Sequence, residues 1–212
     1  TLECFKKYKP KIIVHAACKK LSSKLLYDKT ADYFDENVRM TLNIFKAAKE
    51  IEVDELIILS SVNAFLKKDT LLGSDRDNHI IKKTLAMEYQ KQYGLKSRIF
   101  YLSNTFGPLF KNSCNGFISS VIEKCHNAIK DKTDINIMGN KFHRRNFIYV
   151  KDVINTIESD KNDDDVVLTN NISHTLEEIV YMVTSIMNFN GNVNWFDEYD
   201  DIKNKDIDSF NN

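Results

Sequence analysis

Residues 11–17 read KIIVHAA. One lysine opens a run of apolar β-branched residues, and His15 with two alanines closes it. A continuous apolar run of this length, with a small-residue exit, predicts a strand buried in a parallel sheet. Residues 56–59 (LIIL) repeat the pattern and end at Ser60 and Ser61. Residues 98–102 (RIFYL) repeat it again, run into Ser103-Asn104-Thr105 and break at Phe106-Gly107-Pro108. Between the runs the period changes to that of a helix. Residues 35–50 form one, with Asp35 as its cap. Residues 78–93 form another, with Ile80, Ile81, Leu85, Met87 and Tyr89 as its apolar positions and Gly94 as its stop.

The alternation continues to the end of the chain. Residues 116–129 predict a helix and 135–138 a short strand. Residues 147–150 lead into a helix from about Asp152. Residues 166–168 predict a strand, 174–187 a helix and 193–195 a last strand. Thr175 and Glu178 have the spacing of a capping box. Strand and helix in regular alternation predict βαβ units, right-handed crossovers and an α/β fold with a doubly wound parallel sheet. In such folds ligands lie beyond the carboxyl ends of the strands. Those ends are His15-Ala16-Ala17, Ser60-Ser61 and Ser103-Asn104-Thr105.

Composition narrows the class. Lysine plus arginine equals aspartate plus glutamate, 30 each, so no global field draws nucleic acid. Two prolines and six glycines are too few for a turn-rich all-β chain. No apolar run is long enough to span a membrane, and the charged start carries no signal-peptide core. Thr1 is not an initiator, which suggests a start inside a longer protein. Cys4, Cys18, Cys114 and Cys125 form no CxxC pair and read as reduced thiols of a cytoplasmic protein. The acidic runs 163–165 and 197–201 read as solvated loops, and no metal site is expected.

The strand ends carry a family resemblance. Residues 14–17 (VHAA), the helix with Asn37-Val38, Thr41-Leu42-Asn43 and Ala47-Ala48, and residues 56–65 (LIILSSVNAF) resemble successive segments of the extended short-chain dehydrogenase/reductases. So do residues 92–108 (QYGLKSRIFYLSNTFGP), residues 138–152 with RRNFIYVKD, and the late section ending in Phe189-Asn190-Gly191 and Trp195. The chain is thus similar to the NAD-dependent epimerase/dehydratase family over nearly its whole length, and most to its GDP-L-fucose synthase branch.

The resemblance implies a Rossmann-like domain lacking its first βαβ units (residues 1–110 and 148–170). It also implies a small α+β substrate lobe (residues 111–147 and 171–212). It further implies NAD or NADP near His15, Ala16, Ala17 and Leu102, and a nucleotide sugar, GDP-linked in the branch it resembles most, at Asn104 and Arg145. Arg144 is the alternative carrier of the second role, and His143 beside it reads as a surface residue. A homodimer, or pairing with a related subunit, would use the helix over residues 78–93. Neither nucleic acid nor membrane is an expected partner.

Chemistry in this family uses a tyrosine, a lysine one helical turn later and a Ser or Thr hydroxyl. Ser61 matches the hydroxyl and Phe65 a nearby family tyrosine. At the start of the second helix the Tyr–Lys pair is missing. Counting back from Gln92-Tyr93-Gly94 without gaps places Asp75 and His79 at the two positions. A one-turn deletion places His79 and Lys83 there instead. Histidine exchanges protons near neutral pH, so Ser61, His79 and Lys83 form the candidate catalytic set. Gly116 falls near the further acid of fucose synthases. No GxxGxxG occurs in the chain, so the turn that cradles a dinucleotide pyrophosphate is absent from it. Two outcomes follow: a nucleotide-sugar enzyme with doubtful turnover, or an inactive paralogue that binds nucleotide sugar or pairs with an active subunit.

Overall fold

The computed structural model describes residues 1–19, 29–65, 73–108 and 116–196, with side chains of the second long helix from Arg76 onward. The chain forms two compact units. The first holds Thr1–Leu102 with Asp160–Leu168, the second Ser103–Ser159 with Thr169–Asn212. Among the described residues, 103–108 and 148–159 cluster with the second unit.

The first unit is built on four parallel strands: β1 (Ile12–His15), β2 (Glu55–Ser61), β3 (Ser97–Leu102) and β7 (Val166–Leu168), in the order β1-β2-β3-β7. His15 pairs with Ile58, and Ser61 with Leu102. Strand alternation sends Ile13, Leu56, Ile58, Ile99 and Tyr101 to one face. There they meet Phe45 and Ala48 of α2 (Thr30–Glu50) and Ala86 of α3 (Gly73–Tyr93). Phe45, Leu56, Ile58 and Ile99 are fully buried, each stabilising the fold by about 2–3 kcal/mol relative to exposure. A short helix α1 (Leu2–Tyr8), which no periodicity announced, adds Phe5 to this core.

Both long helices start earlier than expected. Asp35 is not a cap: it lies inside α2 and pairs with Arg39 one turn on, at 2.8 Å. On α3 the buried positions are Asn78, His79, Lys82 and Ala86. Ile80, Ile81, Leu85 and Tyr89 are only half-buried, and Met87 is exposed. The expected apolar stripe is therefore rotated off the sheet. Polar side chains take its place: His79 meets Ser60 and Lys82 the Leu59 carbonyl on β2, whereas the Asn78 amide is buried without a hydrogen bond among the described residues.

The opposite end of the sheet is held by charge. Arg98 donates to Glu55 at 2.5 Å and to the carbonyls of Asp160 and Asn162 at 3.0 and 2.9 Å. Asp165 accepts from the Ile99 amide at 3.1 Å and from Lys83 at 2.5 Å. Together they fasten the approach to β7 onto β2, β3 and α3. The acidic run 163–165 is thus partly structural, with Asp163 on Lys96 at 2.6 Å.

The second unit holds a three-stranded sheet of β4 (Asn104–Phe106), β6 (Arg144–Tyr149) and β8 (Ser173–Thr175), and a parallel pair of β5 (Ile135–Met138) and β9 (Val193–Phe196). Its helices are α4 (Phe117–Asp131), α5 (Val150–Ser159) and α6 (Leu176–Ile186). Val121, Cys125 and Ala128 of α4 pack with Ile135, Ile137, Val180 and Val183. Burial raises the Cys125 thiol pKa, which suits an idle core cysteine. The capping box forms as the spacing predicts, so the helix begins at Leu176 and His174 sits in a strand. Gly107 is required where it stands, since a Cβ there would lie 2.3 Å from a methyl of Val150 at the start of α5.

Candidate functional site

The carboxyl end of β1 is set by α2. His15 is 2% exposed, and its Nε2 lies 3.4 Å from Thr41 Oγ1. Thr41 also donates to the Asn37 carbonyl at 2.9 Å. Asn37, one turn earlier, clamps the loop beyond His15. It accepts from the Lys19 amide at 2.9 Å and returns its own amide to the Lys19 carbonyl at 3.2 Å. Ala16 and Ala17, between these anchors, are exposed. Burial lowers the His15 pKa to about 4, and the positive charge of Lys82 acts in the same sense. The imidazole is therefore neutral at pH 7, and its Nδ1 is buried without a partner among the described residues.

At the end of β2 the two serines part company. Alternation turns Ser60 toward α3, where its hydroxyl lies 3.0 Å from His79 Nδ1. Ser61 faces the other way and accepts from the Asn63 amide at 3.1 Å. His79 thus meets Ser60, not the Ser61 that the family pattern singles out. The two lysines after it also diverge. Lys82 is buried and donates to the Leu59 carbonyl at 2.9 Å, whereas Lys83 goes to Asp165. The sequence reading missed Lys82; only its place three residues after His79, on the same helix face, signals it. Asp75 gives no side-chain position here. A tyrosine followed four residues later by a lysine does occur near the end of the chain, Tyr199 and Lys203, and both lie outside the described residues. Phe65 packs against Tyr101 with ring centres 4.8 Å apart and the rings tilted by 51°. Leu102 ends β3 half-buried.

In the second unit the two expected substrate residues come to neighbouring strands. Asn104 opens β4 and pairs in register with Phe147 of β6. Its amide donates to the carbonyl of Asn146, the residue after Arg145, at 3.0 Å. Asn146 continues the chain by donating to the Asn170 carbonyl at 2.6 Å. Arg145 is exposed, and alternation puts it on the face opposite Arg144. Arg144 donates to the hydroxyl and carbonyl of Ser173, at 3.0 and 2.5 Å. It borders a groove of about 420 Å³ with Ile172, His174, Glu178, Tyr181 and Met182. The Glu178 carboxyl is held below its usual pKa, mainly by the Thr175 amide. His143 is half-buried, and its carbonyl accepts from the first amide of α6. Gly116 caps α4 and contributes no side chain.

The sequence pattern of the NAD dependent epimerase/dehydratase family matches residues 1–158. The chain belongs to that family. A GDP-L-fucose synthase from Dictyostelium discoideum is 26% identical over 172 residues, 72% of this chain and 53% of the relative. A dTDP-4-dehydro-6-deoxy-D-allose reductase from a Streptomyces species is 23% identical over 169 residues, 71% of this chain and 51% of the relative. The chain thus spans about half the length of these curated relatives. Among solved structures, a GDP-mannoheptose C4 reductase from Campylobacter jejuni with NADP bound matches with a TM-score of 0.76 and 20% identity, over 93% of this chain and 73% of that one. A UDP-glucose 4-epimerase from Thermotoga maritima with UDP-glucose matches with a TM-score of 0.80 and 15% identity, over 92% and 67%. These likenesses establish a Rossmann-like α/β fold.

The β1 end suits one contact with a dinucleotide. His15 offers a buried Nδ1 without a partner among the described residues, beside the small, exposed Ala16 and Ala17. The connection from β1 to α2 contains no glycine, so it does not make a pyrophosphate cradle by itself. Among the described residues no group of three His, Cys, Asp or Glu side chains is placed to hold a metal. No described helix is long and apolar enough to cross a membrane.

Proposed function

We propose that the chain binds a GDP-linked nucleotide sugar as part of an NAD(P)-dependent epimerase, dehydratase or reductase, and turns it over weakly. The observation that supports this most is the joining of Asn104 to the backbone beside Arg145 across β4 and β6. Arginine suits phosphate through its permanently charged, forked guanidinium. An asparagine amide suits sugar hydroxyls. NAD(P) would supply hydride transfer, with His15, Ala16, Ala17 and Leu102 lining its place. Ser61 would polarise the reacting oxygen. Weak turnover follows from the remaining candidates: His79 is engaged with Ser60, and Lys83 with Asp165.

Calorimetry with GDP, GDP-mannose and NADPH tests the reading. Arg145→Met is expected to weaken GDP binding roughly tenfold or more, about 1.4 kcal/mol, and Asn104→Ala to weaken GDP-mannose more than GDP. Absence of binding by all three ligands, at millimolar concentration, refutes it.

A second reading, an inactive partner of an active subunit, draws on α3. Its Met87 is exposed, and Ile80, Ile81 and Leu85 are half-buried. Ile80→Asp with Leu85→Asp would then abolish association in sedimentation. An unchanged monomer removes this reading.

A further inference from the structure

We infer that Asn37 and Thr41 act as positioning residues that lock His15 in its Nε2–H tautomer, so that Nδ1 serves as an acceptor for a hydroxyl or amide N–H of the bound ligand. The inference rests on the proposed binding function for the nature of the ligand, but not for the tautomer.

The tautomer follows from counting protons. A threonine hydroxyl has one hydrogen. Thr41 gives it to the Asn37 carbonyl at 2.9 Å, the shorter of its two contacts. Toward His15 Nε2, at 3.4 Å, it can then only accept. An imidazole that donates from Nε2 and is neutral carries a bare lone pair on Nδ1. That atom is buried and meets no donor among the described residues. Leaving a buried polar group unpaired costs on the order of 1–3 kcal/mol, and a ligand donor would recover part of it. The location agrees: His15 closes β1 at the carboxyl edge of a parallel sheet, where α/β folds place ligands.

Asn37 has two tasks here. Its carbonyl fixes the Thr41 hydroxyl, and its side chain holds the Lys19 backbone at both its amide and its carbonyl. The segment that carries His15, Ala16 and Ala17 is therefore anchored at both ends by one turn of α2.

Nitrogen-15 NMR of the histidine side chains at pH 7 tests the inference on the full chain. His15, assigned through a His15→Gln variant, is expected to show protonated Nε2 and bare Nδ1. Thr41→Val removes the acceptor and is expected to give a tautomer mixture, while Thr41→Ser restores the single form. A protonated Nδ1 in the unaltered chain, or no response to Thr41→Val, overturns the inference. If Thr41→Val does not fold, the unaltered chain and Thr41→Ser still decide the tautomer. NADPH is the ligand probe. A shift of the Nδ1 resonance on saturation supports the acceptor role, and saturation without a shift overturns it. Failure of NADPH, GDP and GDP-mannose all to bind refutes the proposed function instead, and the tautomer result then stands or falls alone.

Discussion

His79 and Ser60 share a buried hydrogen bond of 3.0 Å, while Ser61, the next residue along β2, turns to the other face of the sheet. A one-residue step along a strand reverses the side-chain direction. The histidine nearest the family's proton-transfer position is therefore joined to the serine that the family pattern passes over. Ser60→Ala is expected to lower stability by about 1–2 kcal/mol, since it removes this buried hydrogen bond. Ser61→Ala should lie within about 0.5 kcal/mol of the parent, as a half-buried change away from such a network. Urea titration of both variants checks the contrast, and equal losses would contradict the assignment.

The Arg98–Glu55 pair is buried and carries two further backbone bonds. Arg98→Ala strips a buried carboxylate of its partner and frees the loop before β7. A loss of about 3–5 kcal/mol is expected. Replacing Lys83, which is 45% exposed, should cost far less, about 1 kcal/mol or under. Denaturant midpoints of Arg98→Ala and Lys83→Ala decide the order.

Acid should weaken the first unit through His15. Its pKa falls from 6.5 to about 4 on folding, so the unfolded chain binds this proton first as pH drops. The contribution to stability is complete above pH 6.5 and is lost between 6.5 and about 4, amounting to about 3 kcal/mol at most. Stability measured across that window should fall for the parent and fall less for His15→Gln. Parallel curves would show that the proton goes elsewhere.

The Thr175 cap offers a local test in the second unit. Its hydroxyl accepts from the Glu178 amide at 3.1 Å. Thr175→Ala should cost about 1 kcal/mol and Thr175→Ser much less. Amide hydrogen exchange should report the loss first in the opening turn of α6. A loss spread evenly over both units would speak against a purely local cap.

Much of this architecture was legible in the residues, for physical reasons. Residues 56–59 have one apolar side chain after another, as suits a strand covered on both faces, whereas β1 buries Ile13 and His15 and leaves Ile12 and Val14 exposed on its other face. Thr175 and Glu178 announced their helix start because a capping box needs only local contacts. What stayed hidden depends on partners far along the chain. Lys82 and Lys83 look alike in sequence, yet one helical step of about 100° sends one to the Leu59 carbonyl and the other to Asp165. The buried face of α3 was misread for the same cause, since Asn78, His79 and Lys82 have no apolar signature. Asn104 and Arg145 were each singled out, but their adjacency came only with the pairing of β4 and β6. Tyr199 and Lys203 have the sought spacing at a place where the family pattern does not look.

The attachment of β7 carries a last consequence, one of order in time. Residues 103–159 intervene before Asp160–Leu168 returns to the first unit. A ribosome releasing this chain therefore exposes the free edge of β3 long before its neighbour exists. Contacts so distant in sequence close slowly, and an unpaired strand edge invites pairing with another chain. Arg98, waiting on β3 beside Glu55 for the carbonyls of Asp160 and Asn162, keeps a charge at the base of that edge until the missing strand arrives.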